Sequence, residues 1–498
     1  MPDASGAAVA RRVVAGIDQG TTGTRTSLYD EDGRLLASAY QRSRTTHPAP
    51  GWDEQDPEEL LAAVTGTLAG ALAQIDGAEL AAVGIANQGE SVVAFDRRDG
   101  RPLSPAVLWS DRRSAPLVEE VRGSDGQAVL EERSGLPLDP YFSASKLAWL
   151  QRNLPAVRAA ARAGRLAAGT LDSFFLYRLS RGAAFVTDPS TAARTQLMDL
   201  RSRRFDPDCA AVYGLDPAIL PEVTPTVTAG VPSTLGAPVT ASVCDQPAAL
   251  AAIGAISAGQ LKVTYGTGCF VEANAGAAAP RPGGGLMPIV AWELPGGAAT
   301  YAVEGGVLTA ATAVDWLVSV GLAASVQEVD RLAAAGEPGA VMFLPAFSGL
   351  AAPWWRPAAT GTFSGLRAST RREDLACAVL EGIAQRVADV LDAVEATQGL
   401  PEEVRVDGGL AASEPLLQLQ ADLIGRPVLV AAEREGTAAG AAGLAAIGAG
   451  LLDLEGLAAR ARFERRVEPA TSADRRAERR ARWREFVTAT AALDAGLR

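Results

Sequence analysis

Four carboxylates stand where short apolar runs end, and side chains of this type at such positions can support phosphoryl transfer. They are Asp18, Glu90, Asp245 and Asp407. A carboxylate at a strand end can hold a magnesium ion, and one that faces a helix start can take a proton from a hydroxyl. Phosphoryl transfer needs little else besides donors along the phosphates. Taken singly, each aspartate is more typical of a cap or turn. Taken together, the carboxylates favour an ATP-dependent kinase.

A turn of small residues follows Asp18 and reads Gly-Thr-Thr-Gly-Thr over residues 20–24. Glycines let successive backbone N–H groups form one concave surface, and threonine hydroxyls add donors, which suits a polyphosphate. No Gly-Lys-Ser/Thr follows, so the turn is not a Walker motif. For this turn alone a hairpin with a polar turn is the alternative. Further glycine turns at residues 266–268 and 408–409 favour the phosphate site.

Composition indicates an ordinary globular protein with more than one domain. The chain has 498 residues, of which 48% are hydrophobic and 21% charged, enough for two or more full cores. The net charge of −12 argues against nucleic acid or an anionic membrane as a general partner. Any phosphate site must therefore be local.

Cysteine and histidine usage excludes two site classes. The four cysteines include no CxxC pair, which is typical of reduced core thiols in a cytoplasmic protein. His47 is the single histidine, so neither a Ser-His-Asp triad nor a multi-histidine zinc site is expected.

Residues 1–13 lack the apolar core of a signal peptide. Residues 437–452 are too short to span a bilayer and predict a tightly packed buried helix.

Strand and helix signals alternate along the chain. Asp32-Gly33 predicts a hairpin, Asp56-Pro57 a helix start, and residues 372–397 a long helix with one apolar face. A helix is also expected over residues 247–259. The strand–Gly/Thr turn–strand pattern of the N-terminus recurs at residues 261–274, which predicts two domains of similar plan joined near residues 250–260. The C-terminal segment predicts a charged amphipathic helix; its interleaved acidic residues argue against a nucleic-acid-binding arm.

Short motifs spread over residues 13–445 resemble those of the FGGY carbohydrate kinases, and among these the glycerol kinases most. In chain order they are DQGTTGTR, PGWDEQDP, NQGE, LPLDPYFSASKLAW, VCDQPAAL, TYGTGCF, VEGG, PAFSGLAAPWW and VDGG. The resemblance implies an α/β fold with two actin-like (ribonuclease-H-like) ATPase domains flanking a cleft for nucleotide and substrate. The expected divisions are residues 1–252 for the polyol, phosphate and magnesium side, 253–455 for the ATP side, and 456–498 for a C-terminal helical extension.

The resemblance also assigns roles to individual residues. Asp245 matches the catalytic base, and Asp18 matches the aspartate associated with magnesium. The positions that match the polyol site are Gln88, Glu90, Trp109, Tyr141, Asp245, Gln246 and Phe270. Those that match the ATP site are Thr21, Thr22, Gly23, Arg25, Thr267, Gly268, Ala311, Asp315, Gly409 and Ser413.

The chain departs from the glycerol kinase pattern at some of these positions. Those enzymes usually read Asn-Gln-Arg-Glu where this chain has Gly89 as the third residue. The usual arginine donates hydrogen bonds to glycerol, so its loss is expected to open space; Arg112 and Arg113 are the candidates to replace it. At the nucleotide site Ala311, Asp315 and Ser413 replace the usual Gly, Gln and Asn. The loop that binds an allosteric sugar bisphosphate in some bacterial glycerol kinases is absent, so no such regulation is expected.

Three functions stay open at this point. The first is phosphorylation of glycerol to glycerol 3-phosphate, with ATP and Mg²⁺ as cofactors. The second is phosphorylation of a larger polyol or ketose, such as a tetritol, a pentitol or a xylulose-like sugar. The third is nucleotide binding without catalysis, against which the retained Asp18, Asp245 and Gly/Thr turns weigh. A small polyol or sugar is the expected partner, with no nucleic acid and no membrane, and the oligomeric state is a homodimer or a homotetramer.

Overall fold

Strands and helices alternate through the computed structural model, which describes residues 11–281 and 283–496. The predicted absence of a leader falls mostly on residues 1–10, outside this range. The strands are β1 (Arg11–Gln19), β2 (Gly23–Tyr29), β3 (Leu35–Arg42), β4 (Glu54–Gln55), β5 (Ala78–Asn87), β6 (Val92–Asp96), β7 (Ala106–Val107), β8 (Leu166–Thr170), β9 (Val186–Thr187), β10 (Met198–Asp199), β11 (Arg204–Phe205), β12 (Glu222–Val223), β13 (Val227–Val231), β14 (Val239–Cys244), β15 (Leu261–Tyr265), β16 (Cys269–Gly276), β17 (Met287–Glu293), β18 (Ala299–Val307), β19 (Met342–Leu344), β20 (Thr362–Ser364), β21 (Val404–Asp407), β22 (Val428–Ala431) and β23 (Phe463–Val467).

The helices pack on both faces of the sheets. They are α1 (Pro57–Leu72), α2 (Ala115–Val121), α3 (Asp125–Ser134), α4 (Ser143–Asn153), α5 (Pro155–Arg162), α6 (Leu171–Leu179), α7 (Pro189–Ala192), α8 (Pro207–Val212), α9 (Asp245–Ala252), α10 (Ala311–Ser319), α11 (Val326–Ala335), α12 (Arg372–Gln398), α13 (Glu414–Ile424), α14 (Gly436–Gly448), α15 (Leu454–Ala459) and α16 (Ala473–Gly496). Short 3₁₀ turns span Ala193–Thr195, Pro217–Ile219 and Gly409–Ala412.

Two large sheets share one strand plan. The first has the order β13-β14-β5-β1-β2-β3 and the second β17-β18-β16-β15-β21-β22-β23. In each, the strand before the Gly/Thr turn pairs antiparallel with the next strand and parallel with a later one: β1 with β2 and β5, and β15 with β16 and β21. Because the carboxyl ends of parallel strands lie at the same end of a sheet, the residues that follow these strands lie close together there. This shared plan agrees with the predicted duplication.

The local signals in the sequence are found where they were predicted. Gly33 adopts a positive φ of 79° in the hairpin between β2 and β3. The Asp56 side chain accepts from the Glu58 amide, with Pro57 as the first residue of α1. Helix α12 closely matches the predicted long helix. Helix α9 is shorter than expected and ends at Ala252, because Gly254 takes a left-handed φ of 74° that stops the helix.

Helix α14 lies directly on the first sheet, although the predicted boundary assigns it to the second domain. Its backbone reaches so close that a Cβ atom added at Gly16 of β1 or at Gly84 of β5 would collide with a carbonyl group of the helix. On its other side, a Cβ at Gly440 would collide with the carbonyl of Ala248 in α9. The glycines and alanines of residues 437–452 thus form the predicted buried helix.

Adding one methyl group at Gly440 is expected to destabilise the protein. Gly440→Ala forces α9 and α14 apart, and such overpacking costs about 1–3 kcal/mol of the free energy of unfolding. Gly66→Ala is the matched control because Gly66 also lies inside a helix and its new Cβ meets only Gln41 Oε1 at 3.6 Å. That control should gain up to about 1 kcal/mol from helix propensity. Urea unfolding measures both; equal effects of the two changes would contradict the close packing.

The described part of the segment 456–498 packs on the second half of the molecule instead of extending from it. Residues Phe463–Val467 add strand β23 antiparallel to β22, so the segment is not only helical as predicted. In α16, Arg479 donates to Glu381 and Arg480 to Asp389, both at ion-pair distances of 2.8–2.9 Å. These arginines are buried against α12, because their charges are matched there. None of the helices within the described ranges is long and apolar enough to cross a membrane.

Candidate active site

Asp18 and Asp245 meet at one edge of the first sheet. The strands β1 and β14 flank β5 and run parallel to it, with Gln19 and Cys244 both aligned on Asn87. Asp18 lies near the end of β1, and Asp245 begins α9 directly after β14. Burial, together with the nearby Asp245 carboxylate, raises the pKa of Asp18 to about 7. The two carboxylates are therefore neighbours, as the predicted metal and base roles require.

The first Gly/Thr turn is hydrogen-bonded to two residues of the predicted polyol site. Gly20 N donates to Gly23 O at 3.0 Å, which closes the turn. The Thr21 hydroxyl donates to Gln88 Oε1 at 3.0 Å and accepts from the Trp109 indole N–H at 2.9 Å. This hydroxyl is thus used inside the protein, whereas the Thr22 side chain is exposed. Thr21 is placed to position Trp109, and phosphate binding by Thr22 and the turn amides stays a prediction.

Arg25 lies beside the same turn and faces an acidic partner. Its guanidinium forms an ion pair of 2.9 Å with Glu435, the residue just before α14, and lies 5.0 Å from the ring centroid of Tyr40. Both side chains of the ion pair are partly exposed. An incoming phosphate would therefore compete with Glu435 for Arg25 without having to open a buried contact.

Two of the three aromatic residues of the predicted polyol site line a cleft between the two halves, and the third, Trp109, packs against one of them. Trp109 and Tyr141 pack edge to face with ring centroids 5.9 Å apart. Tyr141 from the first half and Phe270 from β16 of the second half line one cavity of about 420 Å³. Its remaining walls include Arg112, Met287, Gly306, Leu350 and Trp355. A small polyol entering here would contact both halves.

Glu90 is a buried carboxylate at this site, held in an unusual backbone conformation. Its φ is 58° and its exposure is 3%, a strained arrangement that is common at ligand sites. Burial raises its pKa to about 7, while Arg194 and Lys146 act in the opposite direction. Burial in turn lowers the pKa of Lys146 to about 7. The pKa of the Tyr141 phenol is raised by burial and, in addition, by the negative charge of Glu90.

Two predicted residues are fixed by partners that the sequence did not identify. Gln88 is buried and donates to Gln55 Oε1 at 3.1 Å, so it holds neighbouring residues of the site in position. The carbonyl oxygen of the Gln246 side chain accepts from Lys262 Nζ at 2.7 Å. Lys262 is fully buried, and its pairing turns the Gln246 amide group so that its N–H donors point away from the lysine. A lysine inside the apolar strand β15 was the available sequence signal.

The space beside Gly89 is filled, which corrects the expectation of an opened pocket. A Cβ atom at Gly89 would lie 2.8 Å from Cδ of Arg194 and 3.0 Å from Sγ of Cys244. Of the two predicted replacements, Arg113 is buried against Asp111 at 2.7 Å, whereas Arg112 pairs with Asp139 at 2.7 Å and lines the cavity of Tyr141 and Phe270. Arg194 follows the motif region VTDPSTAA, where a single basic residue among small ones was the only signal.

The second Gly/Thr turn opens a separate cavity of about 320 Å³ at the ends of β15 and β21. Gly266 N donates to Gly268 O at 2.8 Å, so this turn repeats the closure of the first. A Cβ at Gly268 would lie 2.6 Å from the carbonyl oxygen of Val307, so only glycine fits there. The cavity brings together the predicted nucleotide residues Thr267, Ala311, Asp315 and Gly409, and is also lined by Tyr265, Gly266, Val314, Val326 and Leu410.

Ser413 is absent from the walls of this cavity. It is buried, its Oγ donates to Asp330 Oδ1 at 2.6 Å, and it accepts from the Leu416 amide as the N-cap of α13. The hydroxyl is therefore occupied by helix capping. A contact of Ser413 with the nucleotide stays a prediction, and its hydroxyl could make one only by giving up a bond to Asp330 or to the cap of α13.

Comparison with known proteins gives one consistent result. The FGGY family of carbohydrate kinases matches with its N-terminal domain over residues 13–232 and with its C-terminal domain over residues 261–449. A glycerol kinase of Citrifermentans bemidjiense is 42% identical, covering 95% of this chain and 97% of its own.

Solved structures agree with the sequence comparison. The glycerol kinase of Plasmodium falciparum with ADP superposes with a TM-score of 0.90 at 28% identity, over 96% of this chain and 98% of its own. The xylulose kinase of Rhodospirillum rubrum gives a TM-score of 0.86 at 25% identity, over 97% of this chain and all of its own (100%). These similarities confirm the predicted α/β fold with two actin-like ATPase domains flanking a cleft.

Proposed function

The chain belongs to the FGGY family of carbohydrate kinases, and from that premise we propose that it transfers the γ-phosphoryl group of ATP to a primary hydroxyl of glycerol. The observation that carries the proposal is that the Asp18 and Asp245 carboxylates are neighbours at the ends of β1 and β14, with Asp245 also near enough to Tyr141 to raise the pKa of its phenol. The proposal brings a base, phosphate donors and an acceptor pocket together around these two carboxylates.

In the proposed reaction Asp245 acts as the general base. The glycerol oxygen attacks the γ-phosphorus as its proton passes to the Asp245 carboxylate, and the bond from the phosphorus to the β,γ-bridging oxygen breaks to release ADP. The carboxylate is preoriented because its Oδ1 accepts a hydrogen bond from the backbone N–H of Gln246 at 2.8 Å. Glu90 accepts a hydroxyl hydrogen of the polyol, and Trp109 with Tyr141 packs against its carbon atoms.

The phosphates are proposed to lie between the two Gly/Thr turns, with Arg25 and Thr22 on one side and residues 266–268 on the other. The described residues include no group of three or more metal-ligating side chains, which suits Mg²⁺, because this ion is usually held by one or two carboxylates together with substrate phosphates. Asp18 is the fitting ligand: its raised pKa marks a buried carboxylate short of positive charge. When bound, the ion would neutralise charge on the β- and γ-phosphates.

The pKa of Asp18 makes the use of MgATP depend on pH. Only the ionised carboxylate binds a cation, and the pKa is raised to about 7. Below pH 7 the protonated form dominates, so kcat/KM for MgATP should fall about tenfold per pH unit, whereas above pH 8 it should reach a plateau. Initial rates at saturating glycerol between pH 5.5 and about 8.5 test this. A flat profile over that range would rule out titration of Asp18.

A panel of acceptors tests the proposed substrate. ADP release from ATP should be measured with glycerol, erythritol, the pentitols and the common ketoses, and glycerol should give the highest kcat/KM. Preference for a ketose would replace the proposal by the second function, that of the related xylulose kinase. Hydrolysis or binding of ATP without transfer to any acceptor would favour the third.

The same proposal extends to the division of labour in the chain. Residues 1–252 would carry the polyol, phosphate and magnesium side, and residues 253–455 the ATP side. A homodimer or homotetramer and a cytoplasmic location stay predictions.

A further inference from the structure

Gly89 has an arginine beside it that comes from a different element. Arg194 lies in the 3₁₀ turn Ala193–Thr195, 104 residues further along the chain than Glu90. Its Cδ is 2.8 Å and its Nε 3.5 Å from the position that a Cβ of residue 89 would take. The stem of Arg194 thus occupies the start of the path that a long side chain at residue 89 would follow.

The guanidinium of Arg194 is buried between carboxylates of both halves. Nη1 donates to Glu90 Oε1 at 3.1 Å and to Glu304 Oε1 at 2.9 Å, and Nη2 donates to Glu304 Oε2. Glu304 lies on β18 of the second sheet and is 0% exposed, and Arg194 is 2% exposed. The arginine therefore links Glu90, the proposed acceptor of a polyol hydrogen, to Glu304 of the second half.

Arg194 also retains unused donor capacity. Its Nε is buried and has no hydrogen-bond partner among the described residues, and Nη2 uses only one of its two N–H groups within the described contacts. A buried donor without an acceptor is costly, so a missing acceptor is expected nearby. A polyol hydroxyl beside Glu90 would supply one.

We infer that Arg194 supplies, from the 3₁₀ turn, the guanidinium that orients Glu90 and donates to the polyol in place of a side chain at residue 89. This inference rests on the proposed function and deepens it. Because the stem of Arg194 lies 2.8 Å from where a Cβ of residue 89 would be, we expect its removal to make room for an acceptor longer than glycerol. Arg113 has no part in this role, because it is buried against Asp111 and Glu54, and Arg112, although it lines the cavity of Tyr141 and Phe270, has Asp139 as its carboxylate partner instead of Glu90.

A swap of the two side chains tests the inference. Arg194→Ala should raise the KM for glycerol by about 10- to 100-fold, the worth of a charge-assisted hydrogen bond, with the KM for ATP unchanged. Gly89→Arg alone should also raise the glycerol KM, because its side chain collides with Arg194. In the double variant Gly89→Arg/Arg194→Ala, the arginine at residue 89 can occupy the space that Arg194 has left. This variant should recover most of the lost affinity for glycerol. Such reciprocal non-additivity identifies a shared position.

The ratio of acceptors gives a second readout. In Arg194→Ala, kcat/KM for erythritol relative to glycerol should rise at least tenfold, and the double variant should reverse that rise. Arg386→Met is the matched control: Arg386 is also a buried arginine, on α12, and pairs with Asp389 at 2.8 Å. It should lower the Tm while leaving the glycerol KM of the folded fraction within about twofold of the parent.

Each failure has its own signature. A parent enzyme that does not phosphorylate glycerol contradicts the proposed function. A parent that does, together with an Arg194→Ala variant whose glycerol KM and acceptor ratio are unchanged, contradicts the inference and leaves Arg194 a structural ion pair. A double variant that remains folded and shows no recovery contradicts the inference in the same way. If Arg194→Ala alone fails to fold, the comparison is made with the double variant and with Arg194→Lys. The lysine keeps the positive charge but lacks the several N–H donors of the guanidinium.

Discussion

Asp245→Asn is expected to lower kcat by about 10²- to 10⁴-fold, the usual contribution of a positioned general base. The amide keeps the size of the side chain and can still accept the Gln246 amide hydrogen bond, but it cannot take the proton of the acceptor hydroxyl. The affinity for ATP should change little, because the nucleotide cavity is formed by other residues, at the ends of β15 and β21. Steady-state rates at saturating glycerol and MgATP, with ATP binding by calorimetry, measure both quantities.

Asp56→Asn is the control for this change. Asp56 caps α1 by accepting from the Glu58 amide, and asparagine caps helices about as well as aspartate. The control should keep kcat within about twofold of the parent. If Asp245→Asn retained near-full activity on the best acceptor, Asp245 would not be the base.

Asp389→Ala is expected to lower the free energy of unfolding by about 3–5 kcal/mol, because it leaves the buried Arg386 without a carboxylate partner and Arg480 with only the half-exposed Asp392. The Asp389 carboxylate on α12 accepts from Arg386 Nη1 and Arg480 Nη2, each at 2.8 Å, and from the Trp483 indole at 3.0 Å. Arg386 and Arg480 are 1% and 4% exposed. Without Asp389 these guanidinium groups lose their common partner, and the contact of α16 with the second half weakens.

Asp392→Ala separates burial from pairing in that experiment. Asp392 also accepts from Arg480 Nη2, at 2.7 Å, but its side chain is 48% exposed. Its loss should cost no more than about 1 kcal/mol, as for other exposed ion pairs. Chemical denaturation of both variants gives the comparison. Comparable losses would mean that Asp389 does not hold α16 in place.

The parts of the molecule that depend on neighbours in sequence could be predicted. The turn after Asp18, the cap at Asp56 and the hairpin at Gly33 follow from residue types within a few positions, because backbone conformation and local hydrogen bonds decide them. Repetition of the strand–turn–strand pattern likewise predicted the plan of the second sheet. The motifs then indicated which strand ends face the cleft.

Side-chain pairings between distant segments could not be predicted. Arg194 reaches Gly89 across a separation of about a hundred residues, and the sequence offered Arg112 and Arg113, which are nearer to Trp109 but are held by carboxylates. Ser413 occupies a motif position, yet a local interaction, the cap of α13, takes its hydroxyl. Likewise, the pairing of Lys262 with Gln246 depends on how β15 meets α9. Such contacts are decided by tertiary packing, which spacing alone does not encode.

Analysis of the reaction product is the most direct test of phosphoryl transfer to glycerol by this chain. Phosphorus NMR of a mixture of the purified protein, glycerol and MgATP should show one glycerol 3-phosphate formed for each ATP consumed, with ADP as the other product. The Asp245→Asn variant under the same conditions should show almost no product on that time scale. Release of inorganic phosphate without a glycerol phosphate signal, or transfer only when a ketose replaces glycerol, would contradict the proposed function.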